Sequence, residues 1–336
     1  MDFNPSDEQS AVRELAAQLF ATATHTDVGI AGFDTVMWSR LVDAGLLGLS
    51  VREEHGGGGL PLAVATVVAE EAGRAAARVP VVPVLAGLAA LSDAVLVSSV
   101  LRNEQLVVSA LGAGGWAAPL TFSGGAVSGR LLAVAWGAEA SHAVVASQDT
   151  LLLVDLRGPG VSREDEVVSS REPHASLTFD CAPAAVLEQP LAEATARHVL
   201  LQCAYAVGVA EQCLQLAAHH VSTREQFGRP LATFQAITCQ VADCWIDVEA
   251  MRLTMQQAVW WLDQGRPAAE QTAIAAFWAA DGLQRVVSKA VHLHGGLGVD
   301  VSYPLHRWFL IGKVLELSLG GAQRSLEQLG DLLAAR

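Results

Sequence analysis

Apolar residues near the N-terminus recur at helical spacing. Val12, Leu15, Leu19 and Phe20 share one face of a segment from Asp7 to about Thr22, with Ser6 as its N-cap. Further helices are predicted over about Asp34 to Leu46 and over Leu62 to Arg78, the latter rich in alanine and valine around Glu70 and Glu71. A glycine run, Gly56 to Gly59, separates the two. Val79 to Leu101 is apolar enough to imitate a membrane span. Pro80, Pro83, Ser92 and Asp93 interrupt it, however, and a buried helix pair is the expectation.

The pattern changes near Leu106. Short β-branched runs separated by turn residues follow: Leu106–Ala110, Ala126–Ser128, Leu131–Ala135, Ala143–Ala146, Leu151–Leu156 and Ser176–Phe179. They predict a small, mostly antiparallel β unit. Helical periodicity then returns over roughly Ala192–Val221, Phe234–Gln264, Pro267–Leu293 and Lys313–Ala335. Long helices on short loops predict an up-and-down four-helix bundle. The class is α+β, in three units: an N-terminal helical domain (1–105), a middle β domain (106–188) and a C-terminal bundle (189–336).

Composition narrows the function. The 336 residues are 51% hydrophobic and 17% charged, enough to bury a large core and incompatible with disorder. Lys+Arg number 21 against Asp+Glu 35, a formal charge of -14, which argues against a nucleic-acid partner. Five cysteines (181, 203, 213, 239 and 244) form no CxxC pair, so a reduced, cytoplasmic setting is expected. The first residues lack a basic and apolar leader pattern, and neither a signal peptide nor membrane insertion is expected.

Two segments carry candidate chemistry. The first is Thr223-Arg224-Glu225-Gln226-Phe227-Gly228-Arg229-Pro230, with Phe234-Gln235 beyond it, between two long helices. An arginine beside a glycine turn can present its planar fork to a phosphate or carboxylate, and Phe227 can cover a ring. A plain helix–turn–helix corner with Arg224 paired to a glutamate is the alternative. The second is His292-Leu293-His294-Gly295-Gly296-Leu297-Gly298. Three glycines in four residues exceed what a helix cap needs and let a ligand approach the backbone. The two histidines diverge on a helix, and no third ligand is in view, so no metal is expected.

Together, in this order, the segments resemble the C-terminal domain of the acyl-CoA dehydrogenase family. There an Arg-x-x-Phe-Gly corner and a Gln-x-x-Gly-Gly-x-Gly turn hold the pyrophosphate and adenosine end of FAD. The resemblance assigns FAD contacts to Arg224, Phe227, Gly228, Gln235, His292, Gly295, Gly296 and Gly298, with His292 where the family has glutamine. Tyr303-Pro304 resembles the family's Tyr-Pro element, and MDFNPSDEQ and Val51-Arg52-Glu53-Glu54-His55-Gly56-Gly57 resemble its opening. The match in element order covers essentially the whole chain and implies the acyl-CoA dehydrogenase fold.

The family reaction takes an α-proton from an acyl-CoA with a glutamate while hydride leaves the β-carbon for the flavin. One of the two positions for that glutamate falls here on Leu319 or Gly320. The other falls beside His198, which could serve as an unconventional base. Glu211 and Glu316 match neither. The flavin-ring loop corresponds roughly to Ser109–Gly115, without its Thr, Glu and Ser-Asp. The Trp-Ile-Thr segment corresponds to about Ala133–Trp136, without its threonine.

A retained tail-binding handle with no base resembles the smaller, non-catalytic subunit of actinobacterial α2β2 acyl-CoA dehydrogenases that degrade steroid side chains. This implies a larger partner subunit carrying the glutamate, an acyl-CoA substrate, and an electron-transfer acceptor such as electron-transfer flavoprotein. Two other readings stand beside it: a self-sufficient homo-oligomeric enzyme using His198, and a flavin-free scaffold.

Overall fold

The computed structural model describes residues 3–23, 32–111 and 119–335. Helix α1 (Asp7–Phe20) opens with a capping box: Ser6 Oγ accepts from the Gln9 amide, and the Gln9 side chain accepts from the Ser6 amide. Helices α2 (Thr35–Asp43), α3 (Leu62–Arg74), α4 (Val81–Ala89) and α5 (Ala94–Leu101) complete the N-terminal unit. The apolar stretch after Val79 is thus a helix pair, with α4 buried along nearly its whole length. Helix α3 stops at Arg74, four residues before the predicted end, because Ala76 turns the chain at φ +44°.

Among the described residues seven strands form the middle sheet: β1 (Val107–Ser109), β2 (Thr121–Ser123), β3 (Ala126–Ala135), β4 (His142–Ser147), β5 (Thr150–Asp155), β6 (Val161–Val167) and β7 (Pro173–Val186). The order is β1-β4-β5-β7-β3-β2, with β6 also on β7. Only β1–β4 is parallel. The 14-residue β7 is the spine: β6 pairs Pro173 to Phe179 on one side, β3 pairs His174 to Pro183 on the other, and the last residues pair β5.

The C-terminal unit contains α6 (Leu191–Thr223), α7 (Gln235–Asp263), α8 (Ala269–His294), α9 (Leu305–Ser318) and α10 (Gly321–Ala334). A two-stranded hairpin, β8 (Glu225–Gln226) and β9 (Arg229–Pro230), joins α6 to α7. The last predicted helix, Lys313–Ala335, is in fact two, because Gly320 and Gly321 both take positive φ (+83° and +75°). Helix α8 packs on α6, α7, α9 and α10. Helix α6 is also the one helix among the described residues long and apolar enough to cross a membrane, yet 61% of that apolar window is buried in the fold.

Helices α3 and α6 touch backbone to backbone. A Cβ on Gly208 would lie 1.9 Å from the Glu70 carbonyl oxygen, and one on Gly73 would lie 2.1 Å from that of Tyr205. Alongside, buried Glu70 and Glu71 and half-buried Glu211 meet Arg13, Arg74 and Arg252. Arg74 and Arg252 lie 2.7 and 2.6 Å from Glu211. Each buried carboxylate here meets at least one guanidinium, the condition under which buried ions are tolerated, and Glu249 adds a further contact to Arg252 at 3.6 Å from a more exposed position.

Candidate functional site

The Arg224 corner lies where α6 ends. The Arg224 amide donates to the His220 carbonyl (2.8 Å), and its own carbonyl accepts from the Leu231 amide (2.9 Å). Beyond it the hairpin turns on Phe227 and Gly228, at φ +55° and +76°. Two successive positive values are what a right-twisted two-residue hairpin needs, but they disfavour a bulky side chain. Phe227 is also 91% exposed, and its one aromatic contact is edge-on to Phe234 at 6.1 Å. Arg224 is exposed, and among the described residues no carboxylate lies within ion-pair distance of it. Arg229 sits over the Phe234 ring at 4.2 Å. Gln235, the first residue of α7, is exposed beside them.

The glycine turn follows α8. Gly295 adopts φ +60°, ψ −135°, a region closed to residues with a Cβ. A Cβ on Gly295 or Gly296 would meet nothing within 4 Å, so backbone faces open space there. Gly298 differs: it is buried, and a Cβ would strike the Val291 carbonyl at 2.5 Å, so it packs the turn onto α8. His292 is exposed, whereas His294 is buried and stacks on His220 of α6 at 4.3 Å. That stack brings the corner and the turn to the same end of the bundle.

His198 lies elsewhere. It is buried near the start of α6, its Nδ1 2.9 Å from Ser109 Oγ of β1. Burial holds its pKa down at about 4, so the ring is neutral and a weak base at pH 7. It lines a cavity of about 80 Å³ with Ser109, Trp136, Glu172, Gln202 and Tyr205. Sites for drug-sized ligands occupy ~300–1,000 Å³, so this space is small beside them. Glu172 was not singled out by the sequence; it is the one carboxylate among the lining residues and accepts from Ser170 Oγ at 3.0 Å. Ser318, at the end of α9, also lines the cavity, and Leu319 and Gly320 follow it directly.

Neither spare glutamate is free to act as base. Burial pushes Glu211 up, but Arg74 and Arg252 outweigh it and hold the carboxyl below its ordinary value. Glu316 pairs Lys313 at 3.0 Å. No cluster of three metal-ligating side chains occurs among the described residues. Residues 112–115 of the flavin-ring segment lie outside the described residues, as do Met1 and Asp2 of the opening motif.

The corner and the cavity stand at opposite ends of α6. From His198 to Arg224 is 26 residues, or roughly 39 Å at 1.5 Å per residue. An extended FAD is shorter than that.

Residues 6–96 match the acyl-CoA dehydrogenase N-terminal domain and residues 193–333 the acyl-CoA dehydrogenase C-terminal domain. The chain belongs to the acyl-CoA dehydrogenase family, whose members are FAD-binding oxidoreductases. Acyl-CoA dehydrogenase FadE27 of Mycobacterium tuberculosis (strain ATCC 25618 / H37Rv) is 32% identical to it, over 90% of this chain and 89% of that one. Among solved structures, the Tcur3481–Tcur3483 steroid ACAD, a variant, is 36% identical over 98% of both chains, with a TM-score of 0.91. The ChsE4–ChsE5 complex from Mycobacterium tuberculosis is 30% identical over 100% of both, with a TM-score of 0.92.

Proposed function

We propose that this chain is one subunit of a heteromeric FAD-dependent acyl-CoA dehydrogenase. It holds the pyrophosphate and adenosine of an FAD whose ring lies in a larger partner subunit, and that partner carries the glutamate base. The observation that carries this is the separation along α6: a dinucleotide gripped at Arg224 cannot reach the His198 cavity of the same chain. Arg224, exposed and without an ion pair among the described residues, and the open backbone at Gly295 and Gly296 fit a nucleotide tail arriving from outside. Trp245, Ile246 and Leu317 are each more than half exposed on α7 and α9, which supports a buried contact with another subunit. The similarity to a steroid ACAD and to the two-protein ChsE4–ChsE5 complex supports the same assembly and a steroid side-chain or similarly bulky acyl-CoA.

In this reading the guanidinium of Arg224 neutralises pyrophosphate charge, and Phe227 packs on the cofactor. Gln235 and His292 donate or accept single hydrogen bonds at the adenosine end. Gly295 and Gly296 admit that end to the backbone, and Gly228 and Gly298 set the shape of the two turns. Bound FAD supplies the hydride acceptor; the chain's residues bind and orient it. Reduced flavin is reoxidised by an electron-transfer acceptor such as electron-transfer flavoprotein. The division at 1–105, 106–188 and 189–336 and a cytoplasmic location belong to the same proposal.

Co-expression with a glutamate-bearing acyl-CoA dehydrogenase, followed by flavin counting, tests it. One FAD per pair of unlike subunits is expected, with little or none on the chain alone. A lone chain that holds stoichiometric FAD and dehydrogenates an acyl-CoA refutes it.

A further inference from the structure

His294 is the last residue of α8, immediately before Gly295, and His220 lies one turn before Arg224. Their rings stack at 4.3 Å with 23° between planes. His294 Nδ1–H donates to the Ala290 carbonyl at 2.7 Å, because a carbonyl can only accept. Its Nε2 therefore carries the lone pair and accepts from the Tyr303 hydroxyl at 3.2 Å. Tyr303 in turn lies against the His294 ring, 5.2 Å between centroids. One chain of contacts thus runs from Tyr303 through His294 and His220 to the Arg224 amide.

We propose that His220, His294 and Tyr303 are positioning residues that fix the spacing between the Arg224 corner and the Gly295–Gly296 turn. The inference rests on the reading that these two segments hold FAD. It adds that the grip is sensitive to acid. The groups facing the stack are each other, Arg224, His219 and the Tyr303 hydroxyl, and no carboxylate pairs either ring among the described residues. Protonating both rings would put two cations 4.3 Å apart beside a guanidinium, and would turn the Nε2 acceptor into a donor. Burial lowers the pKa of both rings. For His220 the neighbouring His294, Arg224 and His219 lower it further; for His294 the Ala290 carbonyl partly opposes the shift. Folded values below the unfolded ones mean the stack contributes fully above about pH 6.5 and is lost as pH falls through the lowered values.

The test uses the complex with the larger subunit, with FAD release followed by fluorescence from pH 8 to 5 and assembly followed by size exclusion. Wild type is expected to hold FAD on the order of tenfold more weakly at the acid end. His220→Ala should weaken binding about tenfold at pH 8 with the assembly intact. His220→Phe, which can stack but not titrate, should restore neutral-pH binding and flatten the acid loss. Tyr303→Phe gives a milder loss and serves if His220→Ala does not assemble. If these variants hold FAD as wild type does while Arg224→Ala releases it, the positioning role falls and the FAD reading stands. If Arg224→Ala also holds FAD normally, the FAD reading itself falls. A wild-type pH profile no steeper than that of His220→Phe overturns the acid sensitivity.

Discussion

The hairpin turn at Phe227 separates what the fold needs from what the ligand needs. Its two-residue geometry favours asparagine followed by glycine. Phenylalanine at φ +55° there carries a backbone penalty of roughly 1–2 kcal/mol. The ring offsets little of this, being 91% exposed with one edge-on contact to Phe234. A buried aromatic pair is worth ~0.5–1.5 kcal/mol, and this one is not buried. Phe227→Asn should therefore stabilise the chain by about 0.5–1 kcal/mol, seen as a higher urea midpoint at unchanged slope. The same substitution in the complex removes the ring from the cofactor. Aromatic stacking on a base is worth ~1–3 kcal/mol, so FAD should dissociate about 5- to 150-fold more readily. Destabilisation of the chain by more than about 1 kcal/mol would show that the ring is structural, against this reasoning. Unchanged FAD retention would show that Phe227 does not touch the dinucleotide.

Arg224→Ala should weaken FAD retention by ~1.5–3 kcal/mol, the worth of a hydrogen bond to a charged group. Its urea midpoint should correspond to a change within about 0.5 kcal/mol, because the side chain is exposed and forms no ion pair among the described residues. Gly208→Ala forces a Cβ to 1.9 Å from the Glu70 carbonyl oxygen and should cost about 3 kcal/mol, read by thermal or urea unfolding. His198→Gln and Glu172→Gln should each leave turnover of the complex within about twofold; a hundredfold loss, about 2.7 kcal/mol of transition-state stabilisation, would move the base into this chain.

The helices were legible because their apolar periodicity is long and glycine punctuates it. The ends of α6, α7 and α8 lie within two residues of the predicted bounds. Strand β6, Val161–Val167, was missed because it is a charged, mostly exposed edge: Ser-Arg-Glu-Asp-Glu has no alternation to read. Strand β7 was seen only over Ser176–Phe179, because Pro173, Asp180 and Pro183 look like turn residues. They are accommodated near its ends and beside a kink where Cys181 takes φ +50°. The corner and turn motifs were legible as local patterns. Their meeting through His220 and His294 was not, since 74 residues separate the two rings and no spacing rule connects α6 to α8.

In the proposed function the corner end of α6 holds a nucleotide and the cavity end supplies no base, and the middle of the helix keeps the two apart. Between His198 and Arg224 the helix is locked by Gly208 against α3 and by Glu211 within the charge layer of Arg74 and Arg252. These contacts fix α6 without reference to either end. The His198 cavity, about 80 Å³, and the Arg224 corner are therefore separated by a fixed stretch of helix. The corner experiences a different constraint. Phe227 at positive φ and 91% exposure, and Arg224 without an ion pair among the described residues, bring the chain little stability. Features that carry a folding cost and little folding return persist when something outside the chain uses them. On the proposed function a neighbour's cofactor would use both residues, at the far end of the helix from the cavity.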